Sequence, residues 1–391
     1  MSNAPVFIVG SGHTKFGKLS QSLEEMIVAA GSEAIAEAGI APADIDAIFI
    51  GHFNSGLVPD GFVSSLALGI SPDLRFKPAA RCENACASGG AAIEAGIAAI
   101  RSGQAELVLV VGAEKMTSKT TADVTKALAG AGYQNNSDEA GLTFPQVFAR
   151  AASAYAQRYR DPLPTMAAIA AKNHSNAMSN PLAQMQREMP VEECNLISDK
   201  NPLIAPPLRL TDCSLVTDGA AAIVLASPQK AAKIDHAVGF RSFVHVNDFL
   251  PLTARDFPAF EGPERAIGTA ITNAGLTLDD IDFAEVHDCF TVAELLVYEA
   301  MGLAPKGEGY RVVEEGIVHS GGRLPVNLSG GLKAKGHPVG ATGVSMHAIA
   351  YRQLTSQAGA MQCPGAELGL IFNMGGAGVA NYASILEGWK V

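Results

Sequence analysis

Two stretches of the chain, residues 30–50 and 266–286, repeat one pattern of apolar and polar positions. The first reads AGSEAIAEAGIAPADIDAIFI and the second reads AIGTAITNAGLTLDDIDFAEV, and they align without a gap at a constant offset of 236 residues. In each copy the apolar spacing predicts an amphipathic helix, a glycine ends it, a polar turn with Asp-Ile-Asp follows, and an apolar run predicts a strand. The pattern indicates one domain that has been duplicated within the chain.

A second, shorter similarity supports the duplication. Residues 218–227 read DGAAAIVLAS and residues 375–386 read GGAGVANYASIL. Both have glycine near the start and then small and apolar residues, as expected of a buried strand. Because such strands alternate with alanine-rich helical patterns, we expect an α/β fold.

Between the two copies the strand pattern is lost. Residues 118–207 are rich in Asn, Gln, Ser, Met and Pro, and they predict helices and loops inserted into the first half. We therefore expect an N-terminal half made of residues 1–117 and 208–235, an inserted loop domain of residues 118–207, and a C-terminal half of residues 236–391. Insertions of this kind often carry binding functions.

Composition and charge exclude several classes of protein. The 391 residues are 48% hydrophobic and 17% charged, as in soluble globular proteins, and the net charge of −11 disfavours nucleic acid as a partner. No apolar run is long enough for a membrane span, and the start lacks the pattern of a signal peptide. The six cysteines suggest neither a disulfide framework nor a zinc site. We expect a cytoplasmic protein without a metal.

The sequence CENACASGG, residues 82–90, contains the first candidate for chemistry. Buried cysteines usually only fill the core, and that interpretation applies to Cys82. Cys86, in contrast, is expected at the start of a helix, where the helix field and free backbone N–H groups would lower the thiol pKa. Its small neighbours leave room for a substrate, so Cys86 is the candidate nucleophile.

The second candidate is EVHDCFTVAELLVYEAMGL, residues 285–303. His287, Asp288 and Cys289 follow the second copy of the repeated strand and precede a predicted helix. Ends of strands are where the sites of open α/β sheets gather. A histidine and a cysteine together at this position favour a functional role.

Two glycine-rich stretches provide the remaining candidate site residues. The seventeen residues 327–343, NLSGGLKAKGHPVGATG, hold five glycines and one histidine, His337, between a glycine and a proline that would fix its position. The stretch lacks the pattern of a phosphate-binding loop. Near the C-terminus, Gly375 and Gly376 open a turn whose backbone N–H groups could serve an oxyanion hole.

Taken together, these motifs resemble the thiolase superfamily along essentially the whole chain. CASGG is similar to the nucleophile motif of that family and GHPVGATG to its glycine-histidine-proline motif, while HDCF in place of Asn-Glu-Ala-Phe resembles the sterol-carrier-protein type of thiolase. The resemblance implies a five-layered αβαβα fold, acyl-CoA and CoA as substrates without a further cofactor, and an acyl-cysteine intermediate. We expect no sterol-carrier domain after Val391.

The resemblance also implies a role for each site residue. Cys86 matches the acylated nucleophile, and His337 matches the imidazole that activates it and helps to bind a thioester oxygen. His287 takes the place of an asparagine that positions a water in one oxyanion hole. Gly375 matches the glycine whose N–H forms the other oxyanion hole with the N–H of Cys86.

One departure from the family pattern changes the expected acid and base. Other thiolases carry a second catalytic cysteine in a Cys-x-Gly motif, and the aligned residues here are Asn373, Met374 and Gly375. Cys289 is the natural substitute, as in the sterol-carrier type. Cys363 lies in a predicted loop and is not favoured.

Several points stay open at the level of sequence. The inserted region is expected to hold CoA, and Arg150, Lys172 and Arg209 are candidate contacts by charge alone, with solvated surface roles favoured for each. The family implies a homodimer or homotetramer. The alternatives are a decarboxylating condensing enzyme, a hydroxymethylglutaryl-CoA-synthase-like enzyme using Glu83, and an acyl-CoA-binding or partner-dependent protein with little thiolysis of its own.

Overall fold

The computed structural model describes residues 4–135 and 138–389, so the two ends of the expected domains, residue 1 and residue 391, lie outside the described residues. The strands within these ranges are β1 (Phe7–His13), β2 (Ala47–Gly51), β3 (Ala79–Cys82), β4 (Leu107–Glu114), β5 (Leu203–Ala205), β6 (Leu208–Arg209), β7 (Gly219–Ala226), β8 (Ala237–Asn247), β9 (Phe283–Val286), β10 (Leu368–Gly375) and β11 (Ala380–Trp389). The helices are α1 (Leu23–Glu37), α2 (Ser88–Arg101), α3 (Thr121–Ala129), α4 (Phe144–Arg158), α5 (Leu163–Ala177), α6 (Val191–Asn195), α7 (Pro228–Ala231), α8 (Glu261–Ala274), α9 (Thr291–Ala300), α10 (Tyr310–Glu314) and α11 (Thr342–Leu354).

The duplication predicted from the sequence is present in the structure. The first copy forms the end of α1, a 3-10 turn at Pro42–Asp44 and β2, and the second forms α8, a 3-10 turn at Leu278–Asp280 and β9. β2 then pairs in parallel with β4, and β9 pairs in parallel with β10. The weaker similarity corresponds to β7 and β11, which run antiparallel to β4 and β10.

One sheet runs through both halves of the chain. The strand order is β3-β2-β4-β7-β1-β8-β11-β10-β9, so five strands of the first half are followed by four of the second. The halves meet where β1 pairs with β8 through two residue pairs, Phe7 with Gly239 and Ile8 with Val238. Through this pairing, the strands of the two halves form one nine-stranded sheet.

Helices cover both faces of each half and give five layers. α1 packs on the outer face of the first half, where its apolar side chains join those of β2, β4 and β7 in one core cluster. α8 and α9 cover the outer face of the second half. α2 and α11 lie between the halves, in a core cluster that also contains residues of β4, β7, β8 and β10. The expected α/β class and the αβαβα layering of the thiolase fold are confirmed.

The stretch between the copies of the repeat folds as helices and loops, as its composition predicts. It contains α3, α4, α5, α6 and β5, and β5 forms a short hairpin with β6, which lies just past residue 207 and which the sequence pattern did not indicate. α4 and α5 contribute to the core cluster of the second half. That this stretch is a separate domain with the limits given above stays a prediction. No helix in the described part of the chain has the length and apolar character needed to cross a bilayer.

Candidate active site

A tight turn in front of α2 presents Cys86. Ala85 adopts a left-handed backbone conformation with φ of 51°, which is rare for a residue with a side chain. Ser88 holds the turn closed, because its hydroxyl donates to the Ala85 carbonyl at 2.6 Å and accepts the Asn84 N–H at 3.0 Å. The helix begins at Ser88, two residues after the cysteine rather than at it.

Burial sets the protonation of Cys86. The residue is 8% exposed, and burial raises the pKa of its thiol to about 12, although backbone N–H groups, that of Gly376 first, act in the opposite direction. The expectation that the helix start lowers this pKa is therefore wrong for the ligand-free protein, because desolvation outweighs the helix field. The thiol needs a base to become a nucleophile.

His337 lies beside Cys86, and its neighbours fix its position. Gly336 has φ of 120°, and a Cβ there would lie 2.8 Å from the Thr217 side chain, so only glycine fits. The hydroxyl of Thr217 also accepts the His337 N–H at 3.0 Å. Burial, and then the charge of Lys335, lower the pKa of His337 to about 3, so the imidazole is neutral and one ring nitrogen has a free lone pair.

The hydroxyl of Thr342 decides which nitrogen of His337 is free. Thr342 Oγ1 donates to the Pro338 carbonyl at 3.1 Å and lies 2.7 Å from His337 Nδ1. A Thr342 hydroxyl whose proton is directed at this carbonyl can only accept from Nδ1, and Nδ1 would then carry the ring proton. The lone pair of His337 is then on Nε2, the nitrogen left for the site.

A buried carboxylate ties the loop of His337 to the first half. Glu114, the last residue of β4, accepts the Gly340 N–H at 3.1 Å and the N–H groups of Phe53 and Asn54. Burial raises the pKa of Glu114, and these hydrogen bonds act against that shift. Sequence reasoning did not single out Glu114, since nothing local marks a strand residue that contacts a loop more than 200 positions away.

His287 lies at the end of β9, as the sequence predicts, and is fully buried. Its Nδ1 is 3.1 Å from Asn373 Nδ2, and the same Asn373 nitrogen donates to the Cys86 carbonyl at 3.2 Å. Burial, followed by the nearby His337, lowers the pKa of His287 well below its usual value. His287 Nε2 has no hydrogen-bond partner among the described residues.

Cys289 and Asp288 follow on the loop into α9. Cys289 is 6% exposed, and burial, followed by Cys86, raises the pKa of its thiol well above the usual range. Asp288 points away from the cavity and accepts the backbone N–H groups of Leu332 and Lys333 at 2.6 and 3.2 Å. Burial raises the pKa of this carboxyl to about 7. Asp288 thus fastens the Cys289 segment to the loop that carries His337.

The structure brings Cys86, His287 and His337 together. The sulfur of Cys86 and one ring nitrogen of each histidine all lie within 4.8 Å of one another, and the two rings are perpendicular with centroids 5.1 Å apart. Within the described ranges, this trio is also the group whose donor atoms are close enough to share a metal ion, and a thiolate with two imidazoles suits zinc. The expected absence of a metal stays a prediction.

The two C-terminal glycines differ in their surroundings. Gly375 ends β10, pairs with Ala380, and would place a Cβ 2.3 Å from the Asn84 carbonyl. Gly376 lines the cavity, and its backbone N–H lowers the pKa of the Cys86 thiol, against the larger effect of burial. The oxyanion role of Gly375 stays a prediction, while Gly376, which the sequence offered as the neighbouring choice, has its N–H next to the sulfur.

A cavity of about 270 Å³ opens above Cys86. Cys289, His337 and Gly376 also line it, but most of its wall is apolar and comes from α3, the start of α4 and residues 204–216. Among the described residues, no lysine, arginine, aspartate or glutamate lines it. The other lining residues are Met116, Thr121, Val124, Thr125, Leu128, Phe144, Pro145, Ile204, Leu210, Cys213, Ser214, Leu215, Val216, Phe290 and Val339.

The three cations considered as CoA contacts lie elsewhere. Arg150 is exposed and donates to the Asp138 carbonyl at 3.0 Å. The surface roles favoured for Lys172 and Arg209 are wrong, because both are buried: Lys172 is paired with Glu294 at 2.9 Å and Arg209 with Asp212 at 2.7 Å. A buried cation needs such a partner, and the sequence gives no sign of it.

The remaining candidates of the sequence analysis lie outside the cavity. Cys82 and Cys363 are partly buried against the core between the two halves. Glu83 is exposed, and its carboxylate accepts the Ala85 N–H at 2.6 Å, which supports the turn before Cys86. These positions agree with structural roles.

Comparison with known proteins gives the family. Residues 6–205 match the family model described as "Thiolase, N-terminal domain", and residues 250–388 match "Thiolase C-terminal domain-like". The chain is similar to a protein named acetyl-CoA acetyltransferase from Methanothermobacter thermautotrophicus, with 39% identity over 380 residues that cover 95% of this chain and 97% of the relative.

Two further similarities extend over nearly the whole chain. Sterol carrier protein 2 of Homo sapiens is 33% identical over 390 residues, covering 95% of this chain and 70% of that protein. A solved structure titled "Ltp2-ChsH2(DUF35) aldolase" superposes with a TM-score of 0.82 at 24% identity, covering 98% of both chains, and so shares the fold. With both domain models matched in order and both relatives aligned over 95% of this chain, the chain belongs to the thiolase family.

Proposed function

We propose that the protein is an acyltransferase that cleaves 3-ketoacyl-CoA with CoA, or runs the reverse condensation of two acyl-CoAs, through an acyl group on Cys86. The observation that carries this proposal is the triangle of Cys86, His287 and His337 within 4.8 Å at an apolar cavity that Cys289 also lines. A buried thiol with a neutral imidazole beside it is the arrangement that covalent acyl transfer needs.

In the first half-reaction, His337 takes the proton of the Cys86 thiol, and the thiolate attacks the keto carbon of the substrate. The tetrahedral adduct collapses, the bond between that carbon and its α-carbon breaks, and the acyl group stays on sulfur. The leaving enolate of acetyl-CoA, or of another acyl-CoA, takes the proton of Cys289. His337 is now protonated and Cys289 is a thiolate.

In the second half-reaction, the Cys289 thiolate takes the proton of the CoA thiol. The CoA sulfur attacks the acyl-cysteine, a new acyl-CoA leaves, and Cys86 recovers its proton from His337. Both half-reactions pass through an oxygen that becomes negative, so each needs preorganised donors. The N–H groups of Cys86 and of Gly375 or Gly376, and the ring of His287, are the donors proposed.

The wall of the cavity supports aliphatic acyl groups as the substrates. A lining without charged side chains offers nothing to a terminal carboxylate, whose burial without a partner is costly. The volume of about 270 Å³ is at the low end for small-molecule sites, which favours short and medium chains.

Thiolysis of acetoacetyl-CoA and of a longer 3-ketoacyl-CoA tests the proposal. Wild-type protein should cleave at least one of them and should carry an acyl group on Cys86 when the reaction is quenched and its peptides are weighed by mass spectrometry. Cys86→Ala should abolish both signals. Cys363→Ala, at a cysteine away from the cavity, is the matched control and should retain them.

Absence of cleavage on every substrate would contradict the proposal. If Cys86 is nevertheless acylated, the protein is better described as a thiolase-like acyl carrier that depends on a partner. Asn373 at the position of the usual second cysteine keeps this alternative open.

The compartment and assembly are proposed on separate grounds. All six cysteines are unpaired, which fits a reducing cytoplasm.

β3 is the outermost strand on its side of the sheet, so one row of its backbone groups faces away from β2. This edge favours pairing with a second copy of the chain. Light scattering coupled to gel filtration should give a homodimer or homotetramer.

A further inference from the structure

Asn373 contacts two acceptors with one nitrogen. Its Nδ2 lies 3.2 Å from the Cys86 carbonyl and 3.1 Å from His287 Nδ1, and the amide is fully buried. An amide NH2 group has two protons, one for each of these partners. The contact therefore joins the backbone of the nucleophile to the imidazole that faces it.

The surroundings fix which way round the amide lies. A carbonyl oxygen can only accept, so the amide side facing Cys86 must be the NH2 group. Asn373 Oδ1 points instead at the α-carbons of Gly90 and Gly343, where an added Cβ would lie 3.2 and 2.4 Å from it. Turning the amide over would set two oxygens against each other and leave two buried N–H donors without acceptors, which is the costlier arrangement.

The orientation of the amide decides the state of His287. Because Nδ2 has a proton directed at Nδ1, that ring nitrogen must offer its lone pair. In a neutral imidazole the single proton is then on Nε2. Nε2 is buried and has no partner within the described ranges, and the histidine lies beside Cys86 and His337.

We propose, on the basis of the proposed function, that Asn373 is a positioning residue that holds His287 as the Nε2–H tautomer and so makes it a hydrogen-bond donor to a reacting oxygen. The two imidazoles of the site then have opposite tasks. Thr342 leaves a lone pair on Nε2 of His337, the base, and Asn373 leaves a proton on Nε2 of His287, the donor. The residue that replaces the usual second cysteine thus acquires a function of its own.

The tautomer can be measured without any substrate. In protein labelled with ¹⁵N at histidine, the pattern of long-range ¹H–¹⁵N couplings distinguishes Nε2–H from Nδ1–H rings, and the signals of His287 are identified by their loss in His287→Gln. We expect the Nε2–H pattern. A ring of His287 with its proton on Nδ1 in the wild-type protein would overturn the inference.

Asn373→Asp is the matched variant, because it keeps the shape of the side chain but replaces the NH2 group by an acceptor. The ring of His287 should change to an Nδ1-protonated form, and kcat for thiolysis should fall by about 10²–10³, the usual loss for one oxyanion donor, with KM little changed. An unchanged ring pattern in this variant would contradict the proposal. Asn373→Ala, which removes the donor without adding an acceptor, should give a mixture of both tautomers.

The proposed function and the role of Asn373 can be contradicted independently of each other. If wild-type protein shows the Nε2–H ring but cleaves no 3-ketoacyl-CoA, the proposed function is wrong and the role of Asn373 in setting the tautomer is kept. If it cleaves the substrate while His287 has its proton on Nδ1, the function is kept and the inference is lost.

Discussion

Asp46 and Asp282 make the same pair of hydrogen bonds in the two halves of the chain. Asp46 Oδ2 accepts the N–H groups of Glu106 and Leu107 at 2.8 and 3.0 Å, and Asp282 Oδ2 accepts those of Glu367 and Leu368 at 2.7 and 2.9 Å. Each carboxylate stands in front of one strand and fixes the start of the parallel strand beside it. The Asp-Ile-Asp repeat therefore encodes a strand register twice.

Replacing either of these aspartates should destabilise the fold. Asp282→Ala removes the charged acceptor of the partly buried Leu368 N–H and of the exposed Glu367 N–H, and we expect the free energy of unfolding to fall by about 1–3 kcal/mol. Asp46→Ala should cost a similar amount. Urea unfolding followed by circular dichroism measures both. Asp279→Ala, which removes an exposed carboxylate paired with Arg323, is the control and should cost less than about 1 kcal/mol.

Cys289→Ala should separate the two kinds of chemistry at the site. The variant keeps Cys86 and His337, so Cys86 should still be acylated by acetyl-CoA. Loss of the acid and base should slow proton transfer at the α-carbon by about 10²–10⁴, seen as slower exchange of the acetyl-CoA methyl protons with D₂O and slower thiolysis.

Cys213→Ala is the control variant for the Cys289→Ala experiment. Cys213 lines the same cavity, and its thiol lies 3.5 Å from the Arg209 carbonyl rather than on the reacting groups. Cys213→Ala should exchange the methyl protons at nearly the wild-type rate. Equal losses in the two variants would show that cavity shape, and not the thiol of Cys289, controls the step.

Thr342→Val should impair the base. Valine has the shape of threonine but cannot accept the proton of His337 Nδ1, so the lone pair is no longer held on Nε2. We expect the rate of Cys86 acylation to fall by about 10- to 100-fold, as is usual when a functional imidazole loses its orienting partner. Thr342→Ser, which keeps the hydroxyl, should retain most of the rate. A normal rate in Thr342→Val would mean that the hydrogen bond at 2.7 Å has no part in activating the thiol.

His174 should make the protein less stable as the pH falls. Burial, and then the charge of Lys333, lower its pKa from 6.5 to about 3, so between these values the unfolded chain binds a proton that the folded chain does not. Stability due to this group is complete above pH 6.5 and is lost as the pH falls below it, at roughly 1.4 kcal/mol for each pH unit.

The experiment compares pH slopes. Between pH 6.5 and pH 5, the slope of the unfolding free energy against pH should be smaller in His174→Leu than in wild type by the contribution of one proton. The remaining buried histidines, His337 and His347 among them, should contribute equally to the slopes of both proteins. The raised pKa values of Asp288 and Glu114 act in the opposite sense in both proteins and cancel from the comparison. A pH slope in His174→Leu equal to that of the wild-type protein would contradict the assignment.

Sequence reasoning recovers what short patterns encode. The duplicated helix, turn and strand, the position of His287 after β9 and the fixed position of His337 all follow from local residue types and spacing. The four side chains Cys86, His287, Cys289 and His337 were named from separate motifs and from the family resemblance, and the fold brings them to one site.

The properties that were missed depend on contacts between distant parts of the chain. The pKa of Cys86 is set by burial that no local pattern reveals, and the burial of Lys172 depends on Glu294, 122 positions away. Asn373 was noticed in the sequence only as the absence of a cysteine. Its contact with His287 arises from the parallel pairing of β9 with β10, which no single motif contains.

The central helical layer bears on how the protein should lose activity on heating. Cys86 precedes α2 and His337 precedes α11, and both helices are packed between the two halves of the molecule. Because both helices lie in the most enclosed layer, we expect Cys86 and His337 to keep their distance for as long as the two halves stay packed together. We therefore expect activity to be lost at the temperature of global unfolding, without an earlier local unfolding transition at the site.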